Sequence, residues 1–117
     1  MVDPKGTAGS TKVPLWLVPS TAMAAIAMAL REGRDKYGLF NWRNRKSKVN
    51  ASTYVSAALG HIEDWVDGED FDPNCSDKHH LGAAMASLGI IMDAEACGTL
   101  NDDRPHNGPE WSVRDVD

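Results

Sequence analysis

Between positions 61 and 80 the chain collects side chains suited to binding hard cations. Glu63, Asp64, Asp67, Glu69, Asp70, Asp72 and Asp77 fall within fifteen residues, with His61 just before Glu63 and with His79 and His80 close behind. Carboxylate oxygens are the ligands Mg²⁺ prefers, and imidazole nitrogens extend the choice to Mn²⁺. On a helix, positions 61, 65 and 69 follow one another at four-residue steps, so His61 and Glu69 share a flank with Trp65 between them. If the chain winds on for one more turn, Asp72 joins Glu69 as an E-x-x-D pair, while Asp64 and Asp67 are expected to face solvent. The competing reading is a solvated acidic turn between two helices, and spacing alone favours it. A histidine opening a helix runs against the dipole, which prefers anions there, so His79 and His80 ask for a reason, ligation or a local hydrogen bond. Asp93 lies too far along the same helix to share a metal with His79 and could instead face a neighbouring helix.

A second group suits a nucleotide. In DKYGLFNWRNRK, residues 35 to 46, and the lysine two places beyond, Lys36, Arg43, Arg45, Lys46 and Lys48 offer positive charge to phosphates, and Arg43 could bind bidentately. Trp42 could stack on a base and Asn41 could read its edge. Taken singly, each has a plainer role: Lys36 and Gly38 end a helix, Trp42 covers the core, and RNRK is a solvated loop. Taken together, a cationic aromatic loop and a carboxylate cluster are the two halves of a metal-dependent nucleotide site. No P-loop, no Rossmann fingerprint and no Ser or Cys nucleophile motif accompanies them.

Helices must position both groups. Ser20 is a good N-cap, and Met23, Ile26, Ala27, Leu30 and Tyr37 recur at helical spacing, predicting a first helix over about 21–37 that stops at Gly38. Ser52 is expected to cap a second, whose stripe Val55, Ala58, Leu59, Ile62, Trp65 and Val66 carries it to about Gly68. Pro73 breaks the acidic turn that follows. A third helix runs from about His79 to Cys97, with Leu81, Met85, Leu88, Ile91 and Met92 on one face. Gly82, Ala83, Ala86 and Gly89 on another let a partner helix approach closely. VPLWLVP, bounded by Pro14 and Pro19, packs across the core in an extended form.

With 117 residues the chain is one domain. It divides into a flexible arm at 1–12, a helical domain at 13–98 and a tail at 99–117 with Trp111 as its large anchor. Three helices with almost no strand signal make the fold class all-α, and three is one short of a closed bundle. The formal net charge of −5 argues against a nucleic acid or anionic membrane partner. With only two Phe and two Tyr the core is thin, and oligomerisation is the common remedy. Cys75 and Cys97 are too few for a disulfide framework, no run reaches the roughly 18 apolar residues of a membrane span, and a reducing cytoplasm fits.

Four segments, VPxxxM at 18–23, EGxxKYGxxNWR at 32–43, GHxxxWxxGEDxDP at 60–73 and HLGAA at 80–84, together resemble the phage dATP/dGTP diphosphohydrolase family. These are MazG-like all-α nucleotide pyrophosphohydrolases that include the MazZ proteins. The resemblance implies a MazG-like helical bundle completed by homo-oligomerisation, as a dimer or tetramer. It also implies hydrolysis of a purine deoxynucleoside triphosphate to the monophosphate and pyrophosphate, with two or more Mg²⁺ or Mn²⁺ ions per site. MazZ-like enzymes accompany the pathway to 2-aminoadenine DNA, where dGMP is a precursor, so dGTP is the first substrate expected and dATP the second, in a host cytoplasm.

Carried across by position, the pattern puts Lys36, Asn41, Trp42 and Arg43 in a substrate-binding motif and His61, Glu69, Asp72 and His80 in a second. Glu69, Asp72 and His61 are then expected to be catalytic, and Glu63, Glu69, Asp72 and His80 to hold metal, with His79 a rival for His80. The chain departs from the pattern at Gly60, Asn74 and Ala83, where the family usually carries Arg, an acid and a second histidine. Metal ions would bridge phosphate oxygens and acidify a water that attacks the α-phosphorus in line. The departures keep open a non-catalytic relative that only binds a purine nucleotide. A nucleic acid module using RNRK and a helical interaction protein are the remaining readings.

Overall fold

Proline and glycine punctuate the chain where the sequence places them. The structure, a computed structural model, describes residues 12–110 and 114, so most of the arm and Trp111 lie outside the described residues. Helix α1 spans Ser20–Tyr37. Pro19 occupies its N-cap position and accepts from the Met23 amide at 3.0 Å, so Ser20 is the first helical residue rather than the cap. The helix ends at Gly38, whose φ of 94° lies where only glycine is unstrained. A short 3₁₀ turn, Leu15–Leu17, precedes it, and with Leu15 72% and Trp16 83% exposed the VPLWLVP segment lies on the surface instead of packing extended across the core.

After a loop come strand β1, Val49–Asn50, and helix α2, Ala51–Val66. Ser52 does not cap α2 from the N-cap position, which Asn50 holds. Instead the Ser52 amide donates to Asp103 Oδ1 at 2.8 Å and its hydroxyl donates to Oδ2 of the same carboxylate. A carboxylate 51 residues away therefore satisfies an orphan donor of the first turn, on the end of the dipole that favours anions. Local sequence carries no trace of that pairing.

Helix α2 stops at Val66, and Gly68 at φ 100° turns the chain back. The acidic segment then forms an antiparallel hairpin of β2, Phe71–Asp72, and β3, Cys75–His79, with Phe71 opposite His79 and Asp72 opposite Cys75. Helical winding does not continue to Asp72, so no E-x-x-D helical pair forms. Helix α3, His80–Cys97, closes on Gly98 at φ 73°. Strand β4, Leu100–Asn101, then runs parallel to β1, and the fully buried Thr99 donates to the Ala94 carbonyl through its amide at 2.8 Å.

The molecule is thus mainly helical, with α3 packed between α1 and α2. Its own core is built from small residues: Ala51, Ala58, Ala83, Ala84, Ala86 and Ala94 are buried. The larger apolar side chains turn outward. Of the α2 stripe only Ala58 is buried, while Leu59 is 59% exposed and Val66 68%; on α3, Met92 is 74% exposed. Among the described residues no helix is long and apolar enough to cross a membrane.

The small face of α3 yields a paired prediction. A Cβ at Gly82 would lie 2.6 Å from the Ala25 carbonyl oxygen on α1, a backbone atom that cannot move aside, whereas one at Gly89 would meet nothing within 4 Å. Gly82→Ala should therefore destabilise the fold by about 1–3 kcal/mol through overpacking. Gly89→Ala should stabilise it by up to about 1 kcal/mol through helix propensity. Urea midpoints of the two variants, moving in opposite directions, would show that close approach of α1 and α3 selects the glycine.

Candidate active site

A cleft of ≈ 210 Å³ opens between the three helices. Its floor is α3, through Ala83, Ala86 and Ser87; α1 contributes Glu32 and Lys36, and α2 contributes Tyr54 and His61. Asn41 and Trp42 from the loop and Lys78 from β3 complete the wall. Three of the four expected substrate residues, Lys36, Asn41 and Trp42, therefore face one space together with His61. The small side chains of α3 are what leave room for it.

The loop that brings Asn41 and Trp42 here is fastened to α3. Trp42 Nε1 donates to Asp93 Oδ2 at 2.6 Å, and Arg43 grips the same carboxylate through Nε at 2.7 Å and Nη2 at 3.1 Å. Thr99 Oγ1 donates to the Trp42 carbonyl at 2.7 Å. Phe40 takes a left-handed φ of 50°, at a cost of about 1–2 kcal/mol for a residue with a side chain. The T-shaped contact with Trp42, ring centroids 5.4 Å apart, and the Arg43 guanidinium 4.4 Å over its ring hold it there. Arg43 thus braces the loop from outside and does not line the cleft. Its partner in this structure is Asp93, which faces the 41–43 loop rather than a neighbouring helix.

Asp93 is held below the ordinary carboxylate range by Arg43 first and by Trp42 second. Since the folded value is depressed, this carboxylate stabilises the fold above its ordinary value of 3.8, and the contribution is lost as pH falls from there through the folded value. Asp93→Asn should cost about 1–2 kcal/mol at neutral pH, after allowance for partial exposure. It should also flatten the acid side of the stability profile, read from thermal unfolding between pH 3 and 7, conditions chosen as roughly spanning carboxylate titration.

Where His61 lines the cleft it forms an imidazole pair with His80 behind it. His80 is 2% exposed, and its Nδ1 lies 2.8 Å from His61 Nδ1. His80 Nε2 lies 2.6 Å from Glu69 Oε1 and 4.0 Å from Asp64 Oδ2. A carboxylate accepts only, so in neutral rings the His80 proton is on Nε2, His80 Nδ1 accepts, and His61 Nδ1 donates to it. The His61 Nε2 lone pair is then free for a ligand or a proton. Burial first, and the Lys78 ammonium second, push His61 below the ordinary histidine range, which keeps the ring neutral at pH 7.

His61, Asp64 and His80 each offer a ligand atom, and these lie within 4.8 Å of one another. Asp64 is exposed, as expected, yet its carboxylate reaches this group; the three-residue step from His61 places both on one face of α2 and was the overlooked signal. Glu69 reaches it because the turn at Gly68 folds the chain back, with the Glu69 amide on the Asp64 carbonyl at 3.0 Å. Glu63 is exposed and stands outside the group. His79 is the N-cap of α3, its Nδ1 accepting from the Leu81 amide at 3.0 Å, and its ring packs edge-on against Phe71. A neutral, accepting imidazole suits a helix N-terminus, which resolves the apparent conflict with the dipole.

Asp72 is apart from Glu69 in its bonding. Asn74 donates its amide to Asp72 Oδ1 at 2.8 Å, and Lys78 Nζ stands 3.3 Å from Oδ2. The Asn74 bond and then Lys78 hold this carboxyl below its usual range against the effect of burial. Lys78 also contacts Glu32 Oε2 at 2.7 Å, and Lys36 contacts Glu32 Oε1 at 2.6 Å. Burial works against the Lys78 ammonium, but Glu32 and Asp72 outweigh it and raise its pKa. Sequence reading singled out neither Lys78 nor Glu32 as a site residue; the four-residue step from Glu32 to Lys36 was the available hint.

A sequence model of a family described as dATP/dGTP diphosphohydrolase, N-terminal, matches residues 2–104. No curated protein and no solved structure matches the chain.

Proposed function

The chain belongs to the dATP/dGTP diphosphohydrolase N-terminal family, and on that premise we propose that it hydrolyses a purine deoxynucleoside triphosphate, dGTP first and dATP second, to the monophosphate and pyrophosphate. The observation that carries this reading is the cleft in which Lys36, Asn41 and Trp42 share one space with His61, beside the His61, Asp64 and His80 group.

Each residue has a role in that cleft. Trp42 and Asn41 hold the purine, Lys36 neutralises the triphosphate, and Glu32 aims the two lysines it binds. Arg43 and Asp93 keep the loop in place. Water attacks the α-phosphorus, the bond to the α,β-bridging oxygen breaks, and pyrophosphate leaves. With the His61 proton moved from Nδ1 to Nε2, both Nδ1 lone pairs would be free, and with the Asp64 carboxylate they would hold a divalent ion; two imidazoles suit Mn²⁺ better than Mg²⁺. Bound there, it would supply charge neutralisation for phosphate oxygens and acidify a water. Glu69 fixes the His80 ring by accepting its Nε2 proton, the usual arrangement behind a ligating histidine.

A homo-oligomer accompanies this reading, because exposed Val55, Leu59, Ile62 and Val66 line one side of α2 and a second copy would cover them. The dGTP preference, a host cytoplasm and a place in supplying dGMP for phage 2-aminoadenine DNA follow the resemblance to MazZ-like enzymes. Incubation of the purified protein with dGTP, dATP, GTP and dCTP, each with Mg²⁺, Mn²⁺ or EDTA, tests the reaction. Monophosphate and equimolar pyrophosphate, lost with EDTA, are expected. Triphosphates returned intact under every condition would refute the enzyme.

A further inference from the structure

Lys78 lies deep in the cleft wall. Its side chain is only 16% exposed, as are, within two points, those of Asp72 at 16% and Glu32 at 18%. The pleat of β3 accounts for this: successive residues point to opposite faces, so Asp77 turns outward to Arg31 while Lys78 turns inward. Lysine is seldom buried unless paired, and here the pairing is double, 2.7 Å to Glu32 Oε2 and 3.3 Å to Asp72 Oδ2. Lys36 adds a second ammonium on Glu32, and His61 lines the same cleft. Neither Glu32 nor Asp72 belongs to the His61, Asp64 and His80 group. Two cation positions therefore adjoin the cleft, and an ammonium fills one of them.

We propose that Lys78 is a built-in cation of the site, occupying between Glu32 and Asp72 the place a second divalent ion would take, so that one divalent ion per chain, at His61, Asp64 and His80, completes it. The proposal rests on the metal-dependent reading above. A divalent ion cannot share the space with the ammonium, because like charges would stand side by side at low exposure and both carboxylates are already engaged. Removing the lysine reverses this. Glu32 and Asp72 are left as an uncompensated pair of anions, which is strongly unfavourable, around space that a hard cation fits.

The probe is Mn²⁺ alone, with free ion counted by electron paramagnetic resonance and folding checked by circular dichroism. Wild type should saturate at one ion per chain, Lys78→Ala at two, and Asp72→Asn at one with unchanged affinity. Two ions on wild type, one ion on folded Lys78→Ala, or weakened binding by Asp72→Asn would overturn the proposal while leaving the metal reading intact. Asp72→Asn decides the matter if Lys78→Ala does not fold, since a bound carboxylate lost from an ion's ligand set must weaken it. No ion on wild type would instead overturn the metal reading and the proposal with it.

Discussion

Glu69→Gln is expected to lower kcat for dGTP by roughly 10–100-fold, as for loss of a partner that orients a ligating histidine, and to leave the fold intact. Glu69 is about half exposed, and its Oε1 sits 2.6 Å from His80 Nε2. Glutamine keeps an oxygen that can accept from the same ring nitrogen, so the change removes charge and little else. The loss of that charge frees the His80 ring to reorient against His61. Affinity for Mn²⁺ should fall about 10–100-fold, the range for partners standing behind a ligating histidine. A circular dichroism spectrum and urea midpoint matching the wild type, together with the lost turnover, would establish the role. Full activity in a folded Glu69→Gln protein would remove Glu69 from the reaction.

Trp42→Ala should raise KM for dGTP by about 10–100-fold, within the roughly 1–3 kcal/mol that stacking of a base on an aromatic ring contributes. The same change releases the Nε1 bond to Asp93 and the edge contact with Phe40, so stability falls as well. Trp42→Phe separates the two effects. Phenylalanine retains a face for the purine and cannot donate to Asp93, so KM should stay within a few-fold of wild type while the unfolding midpoint still drops. Equal KM values for all three proteins would show that the purine lies elsewhere. A KM for Trp42→Phe as high as that for Trp42→Ala would make the loop's anchorage the cause.

The sequence by itself determined the mainly helical fold and the positions of its three helices to within a few residues. It did so because apolar spacing, Pro19, Gly38 and Gly98 act through neighbours only three or four positions away. It also determined which segments carry polar chemistry, since 36–43 and 61–80 stand out by residue type alone. Tertiary structure decided which of those side chains meet. Glu69 comes to His80 only because Gly68 reverses the chain, and Asp72 turns to Lys78 only because 71–79 forms a hairpin rather than another helical turn. Arg43 leaves the cleft for Asp93, 50 residues on, and the Ser52 amide finds Asp103, 51 residues on. A carboxylate's partner is set by what packing brings within about 3 Å of it, and no local period encodes that distance. Periodicity finds the faces of helices; only their assembly fixes which charges must neutralise one another.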